Sequence, residues 1–140
     1  MALNDRAQVE ALADNLTECA NSIHERLIDA IKKDEIDQYT AQTIFQDEAT
    51  LRQRANSLYL DAINCVVDGL PDSQESILQV VAEAKDTLKT VKKIEVFIDL
   101  IADLLVLATA AYAAKPAPIF AALKEIKSDV KQIKKVKAMT

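Results

Sequence analysis

The stretch Val96–Phe120, VFIDLIADLLVLATAAYAAKPAPIF, decides how the whole chain is read. It is the most apolar part of the sequence, yet Asp99 and Asp103 lie in its first third. Either it is built for a bilayer or it is built for the inside of a helical bundle. From Val96 to Ala114 it has 19 residues, enough to cross a hydrocarbon core. Nine of these are Val, Phe, Ile or Leu. Together they favour insertion by about 3 to 5 kcal/mol. The two aspartates oppose it by roughly 2.5 to 3.5 kcal/mol each at the bilayer centre, less off centre. The balance is near zero or unfavourable. Beyond Asp103 only 11 residues precede Lys115, about 16 Å of helix and too short to span.

Spacing leads the same way. Glu95, Asp99 and Asp103 recur every four residues and share one helix face, with Lys92 close by. The early part of the segment is therefore an apolar stripe beside a wet acidic edge. The later part, LLVLATAAYAA from Leu104 to Ala114, is apolar on every side except for Thr109 and the Tyr112 hydroxyl. Such a helix must be covered, by its own chain, by a partner or by lipid.

Working outward, helix signals fill the rest of the chain. It has one glycine, Gly69, and three prolines, too few turn residues for a β protein. Half of the 140 residues are hydrophobic and 28% are charged, which fits a folded single domain spanning 1–140 rather than a disordered chain. Val9, Leu12, Leu16, Cys19, Ile23, Leu27 and Ile31 form one stripe after an N-cap at Asn4. KKDEID lacks glycine and proline, so one long continuous helix stays open there, but the stripe loses register and a turn is expected, with Asp34 or Asp37 capping a second helix and Ile36 ahead of the cap. There Ala41, Ile44, Glu48, Leu51, Ala55, Leu58, Ala62 and Cys65 make a heptad seam, with Glu48 at its edge or paired to a cation. Gly69 and Pro71 end that helix, and Asp72 with Glu75 reads as a capping box for a third.

The third helix shows no breaker before Pro116, so an unbroken run over 73–114 is expected, roughly 60 Å long. KTVKKIE is the place for a bend. Pro116 and Pro118 mark the next turn. A fourth helix then carries Ile119, Leu123, Ile126, Val130, Ile133 and Val136. The resulting expectation is an all-α, elongated, antiparallel four-helix bundle with a long third helix. Its core includes Ile44, Leu51, Leu58, Val81, Leu88, Ile98, Leu105, Leu123 and Ile126.

The chemistry-bearing residues are sparse. His24 is the only histidine, so the repeated Glu-x-x-His of bundle metal sites is missing, and Cys19 and Cys65 lack ligand-spaced companions. About the expected first turn the two cysteines fall roughly 20 Å apart along the axis, too far for a disulfide. One glycine cannot build a phosphate loop. His24–Glu25 point in different directions on a helix and make a poor acid–base pair. No cofactor, metal or catalytic group is therefore expected, and the chain reads as a non-enzyme.

Net charge is −5. Residues 1–90 hold 17 acidic and 8 basic side chains, a balance of −9, while residues 91–140 hold 5 and 9, a balance of +4. The acidic balance and the scarcity of aromatics in the tail argue against nucleic acid. Lys124, Lys127, Lys131, Lys134, Lys135 and Lys137 flank the last apolar stripe. This is the pattern of a solvated bundle face, of a groove-binding basic helix, or of a helix resting on anionic lipid. The amino-terminal sequence has no signal-peptide pattern, and a cytoplasmic setting is expected.

The functional expectation is a protein–protein interaction or self-assembly module, with a protein partner or a second copy of the chain. Its candidate contact residues are Leu104, Leu107, Ala111, Tyr112, Ile119, Phe120, Lys127, Lys131 and Lys134. The alternative is a membrane-active bundle that inserts the hairpin 104–123. In outline, such a hairpin at one end of a bundle resembles the heads of α-helical pore-forming toxins, a likeness of architecture carried by no residue motif.

Overall fold

A computed structural model describes residues 1–139, with side chains through residue 135; Val136 and Lys137 of the expected stripes lie outside the described side chains. The fold is all-helical, and no strand occurs among the described residues. There are five α-helices: α1 (Arg6–Lys32), α2 (Gln38–Leu60), α3 (Gln74–Thr90), α4 (Ile94–Tyr112) and α5 (Pro116–Met139), with a short 3₁₀ turn at Ala62–Cys65.

The expected four-helix bundle with a long third helix is thus corrected. That helix is two, α3 and α4, parted at Val91–Lys93. The cause lies 65 residues away. Arg26 of α1 donates from Nε to the Val91 carbonyl at 2.8 Å and from Nη2 to the Lys92 carbonyl at 3.4 Å. Continuing the helix would claim those carbonyls for its own ladder. Val91 instead turns extended and its side chain is buried. The break also answers the problem of cover. A straight helix of about 60 Å would carry Leu104–Ala114 past the end of α1, whose 27 residues reach only about 40 Å. Folded back, α4 lies between α2 and α5.

The helices close a ring in the order α1, α2, α4, α5, α3 and back to α1. Around the ring, antiparallel neighbours are mixed with parallel ones. His24 meets Glu48 and Asn21 meets Arg52, so α1 and α2 run in opposite directions. In contrast, contacts advance together along α1 and α3, from Gln8–Gln74 through Cys19–Val81 to Arg26–Val91. Arg54–Thr109 and Asp61–Tyr112 do the same for α2 and α4. The mostly antiparallel arrangement expected from the sequence takes this form: direction alternates along the chain, so α1 and α3 run the same way, as do α2 and α4.

Caps set the boundaries. Asp5, not Asn4, caps α1, accepting from the Gln8 amide at 2.9 Å. Asp37 caps α2 through Thr40, and half-buried Ile36 and Ala41 pack against the core on either side of the cap. Ser73, not Asp72, caps α3 through Ser76; the Asp72 carbonyl is taken by the Ala2 amide. Two helices end in the same closure. Asp34 after α1 and Ala114 after α4 adopt left-handed backbone, φ 59° and 56°. The Glu35 amide then returns to Ala30 O, and the Lys115 amide to Ala110 O. α2 stops at Leu60, short of Gly69, and the chain tucks Cys65, Val67 and Leu70 into the core beside Leu3.

One contiguous core takes residues from every helix. Ile44, Leu51, Leu58, Val81, Leu88, Leu123 and Ile126 are buried as expected, whereas Ile98 and Leu105 are only partly covered. Ile31, placed on the α1 stripe by its spacing, is exposed at the end of that helix.

Candidate functional site

The candidate contact residues separate into two groups. Leu104, Leu107, Ala111 and Ile119 are buried, at most 1% exposed, inside this one chain. The apolar run of α4 is therefore covered by α2 and α5, and Val106, at 55% exposure, and Tyr112 are the large side chains it leaves in water. Tyr112 is exposed at the foot of α4 and donates from its hydroxyl to Asp61 Oδ2 at 2.8 Å, a bond that raises its pKa. No helix among the described residues is long and apolar enough to cross a membrane.

The second group lies on α5. Phe120, Lys124, Lys127, Lys131 and Lys134 follow one another at steps of four and three, so they form one stripe. All five are exposed. Lys124 Nζ sits 5.6 Å from the centre of the Phe120 ring, a cation–π contact at the head of the stripe. The sequence makes α5 this way because its other side is committed: Ile119, Leu123, Ile126, Val130 and Ile133 are buried.

Against α3 the stripe borders a groove of about 430 Å³. Val80 and Val130 form its apolar floor, Lys127, Lys131 and Lys134 one wall, and Ser76, Gln79 and Glu83 the other. Lys134 reaches Glu83 at 3.9 Å, an exposed and weak pair. Chemically the groove offers three ammonium groups beside a small apolar floor. It suits carboxylates delivered by a surface that also has an aliphatic side chain to bury.

A second cavity, about 390 Å³, lies between α2 and α4. Leu105, Val106, Ala110, Ala113 and Pro118 line it, and Arg54 closes one side with Nη1 on Thr109 Oγ1 at 2.8 Å.

Two polar clusters are set into the apolar packing, and only the one at Glu48 is foreshadowed by the heptad pattern. Arg26 is 5% exposed, and besides the two carbonyls it binds Glu35 at 2.9 and 3.4 Å and Asp29 at 3.4 Å, while Phe97 lies 5.9 Å from its guanidinium. Every donor of the fork has an acceptor. The only sign of it in the sequence is a charge between Ile23 and Leu27, inside the apolar stripe. The other cluster centres on Glu48, also 5% exposed. Its two oxygens take His24 Nδ1 and Arg52 Nε, each at 2.9 Å, and Arg52 reaches Asn21 at 2.7 Å. Glu48 is thus paired to a cation, as its place on the seam implies. His24 partners Glu48, not its neighbour Glu25.

Cys19 and Cys65 are buried free thiols. Burial pushes Cys19 up to about 12, and Cys65 upward too. Cys19 Sγ lies 3.6 Å from Val81 O and Cys65 Sγ 3.5 Å from Tyr112 O. Among the described residues no group of three His, Cys, Asp or Glu side chains is arranged to hold a metal ion.

The site thus belongs to an all-α chain whose five helices close a ring and whose last helix turns a basic stripe outward. Comparison with protein-family models, with curated proteins and with solved structures gives no match.

Proposed function

We propose that the chain is a non-enzymatic interaction module that binds an acidic protein segment along α5. The observation that supports this reading is the exposed stripe Phe120–Lys134 beside the groove against α3. The partner we infer is an amphipathic helix whose carboxylates meet Lys127, Lys131 and Lys134 and whose aliphatic side chains settle on Val80 and Val130. A protein partner is favoured over a lipid surface for a physical reason. Interfacial binding needs a free apolar face on the basic helix, and the apolar face of α5 is already spent on the core. A cytoplasmic setting, where Cys19 and Cys65 stay reduced, belongs to the same proposal.

The test is an amide-resolved NMR titration with a synthetic acidic amphipathic peptide, alongside flotation with phosphatidylserine vesicles. Shifts confined to α5 and the facing side of α3, weakened by salt and lost in a Lys127→Glu, Lys131→Glu, Lys134→Glu variant, are expected. Vesicle binding without peptide binding would move the function to the membrane, and the absence of both would remove this surface from consideration.

A further inference from the structure

The sequence has four arginines, and three of them are spent on carboxylates. Arg6 pairs with Glu10, Arg26 with Asp29 and Glu35, and Arg52 with Glu48. Arg54 differs: its Nη1 crosses from α2 to α4 and donates to Thr109 Oγ1 at 2.8 Å, and it has no carboxylate partner among the described residues. Thr109 in turn donates to the Leu105 carbonyl at 2.9 Å, so the threonine is fixed to its own helix and holds the guanidinium in place. Arg54 Nε and Nη2 have no acceptor among the described residues, which leaves most of the planar fork open.

Arg54 stands where two cavities meet. One is the space of about 390 Å³ walled by Leu105, Val106, Ala110, Ala113 and Pro118. The other, about 300 Å³, is bordered by Gln53, Ser57 and Tyr112, and Thr50, Arg54 and Thr109 belong to both. Lys115, at the turn into α5, also lines the first, and it too has no carboxylate partner among the described residues. The chain has 22 acidic residues, yet no Asp or Glu lines either cavity. The nearest acid the structure ties to them is Asp61, which accepts from the Tyr112 hydroxyl. The α5 groove is different, because there Glu83 stands opposite the lysines.

We propose that the α2–α4 cavity binds a small amphipathic carboxylate of the medium-chain fatty acid class. Its carboxylate meets Arg54 and Lys115, and its hydrocarbon body lies against Leu105, Val106 and Ala110. Charge complementarity selects the head: two cations without an acid of their own face the space, and a guanidinium fork matches a carboxylate in two parallel hydrogen bonds. The apolar wall selects the body, since a small hydrophilic anion would leave that wall in water. The volume falls at the lower end of the range for ligand pockets, roughly 300 to 1,000 Å³. The site lies between α2 and α4, apart from the groove between α3 and α5, and does not depend on what that groove binds.

The experiment is an amide-resolved NMR titration of the intact chain with octanoate, octanol and acetate in turn, at neutral pH and below the concentration at which octanoate forms micelles. Octanoate is expected to give saturable shifts at Thr50, Arg54, Val106, Thr109 and Ala113. Octanol should bind several-fold more weakly at the same amides, and acetate should shift none of them. The double variant Arg54→Gln, Lys115→Gln should weaken octanoate roughly tenfold, the loss expected for a charge-assisted hydrogen bond. Both positions are exposed, and thermal melts check that the fold is kept. Ala113→Phe, which fills the cavity from another exposed position, should block octanoate without touching either cation. No saturable shift at these amides, equal binding of octanoate and octanol, or octanoate shifts that survive the double variant would each overturn the carboxylate site.

Discussion

Arg26 Nε donates to the Val91 carbonyl at 2.8 Å, and this bond joins the end of α1 to the point where α3 stops. The same guanidinium holds Glu35 in the α1–α2 turn. One side chain therefore fixes two turns at the same end of the ring. Replacing it with alanine leaves the Val91 carbonyl and a partly covered carboxylate unpaired and opens space beside Phe97. We predict a loss of about 2 to 4 kcal/mol in urea unfolding. Arg26→Lys should recover only a small part of it, because an ammonium cannot reproduce the planar fork.

Ala114 closes α4 with a φ of 56°, a conformation that costs an L-residue roughly 1 to 2 kcal/mol. Glycine removes that cost but adds freedom to the unfolded chain. Ala114→Gly should stabilise the protein by about 0.5 to 1 kcal/mol. Ala114→Val should destabilise it by more than that, as read from the shift in denaturation midpoint.

Stability should depend on pH through Asp129. Burial and the neighbouring carboxylates push its pKa up to about 7, well above the ordinary range for an aspartate. The folded state therefore binds the proton more tightly. The stability this contributes is present in full below about 4 and is lost as pH rises through about 7. Because the group is partly exposed, solvent screening keeps the effect modest. In thermal melts at pH 5.5 and 8.5 the wild type should lose a few degrees more than Asp129→Asn does.

Cys19 should resist alkylation at pH 8, because little thiolate exists when its pKa is about 12 and the sulfur is enclosed. Modification followed by mass spectrometry should proceed at the rate of global opening and accelerate in urea in step with unfolding. Rapid labelling of the native protein would place Cys19 outside the core.

Much of this fold is legible in periodicity. The stripes of α1 and α2, the turn at Asp37, and the boundary at Pro116 follow from spacing and capping chemistry within a few residues. The division of α3 from α4 is not legible there, because its cause is Arg26, distant in sequence and near only once the chain has folded. Caps shift by one position at Asp5 and Ser73 for a related reason. Asn4 and Asp72 are no worse as caps by residue type, but the Asp72 carbonyl, which a cap gives to the helix ladder, is taken by Ala2. The candidate contact surface was half visible. Lysine spacing marks the α5 stripe, whereas a list of apolar residues cannot say which of Leu104, Leu107 and Val106 points inward until the neighbouring helices are placed.

The central claim is that the apolar run of α4 is packed inside a single chain. Leu107 and Val106 are adjacent, the first buried and the second 55% exposed. The direct test is urea unfolding of Leu107→Ala and Val106→Ala at a concentration where sedimentation shows a monomer. We predict that Leu107→Ala loses about 2 to 5 kcal/mol and that Val106→Ala stays within about 0.5 kcal/mol of wild type. Equal losses, or a near-neutral Leu107→Ala, would contradict the account.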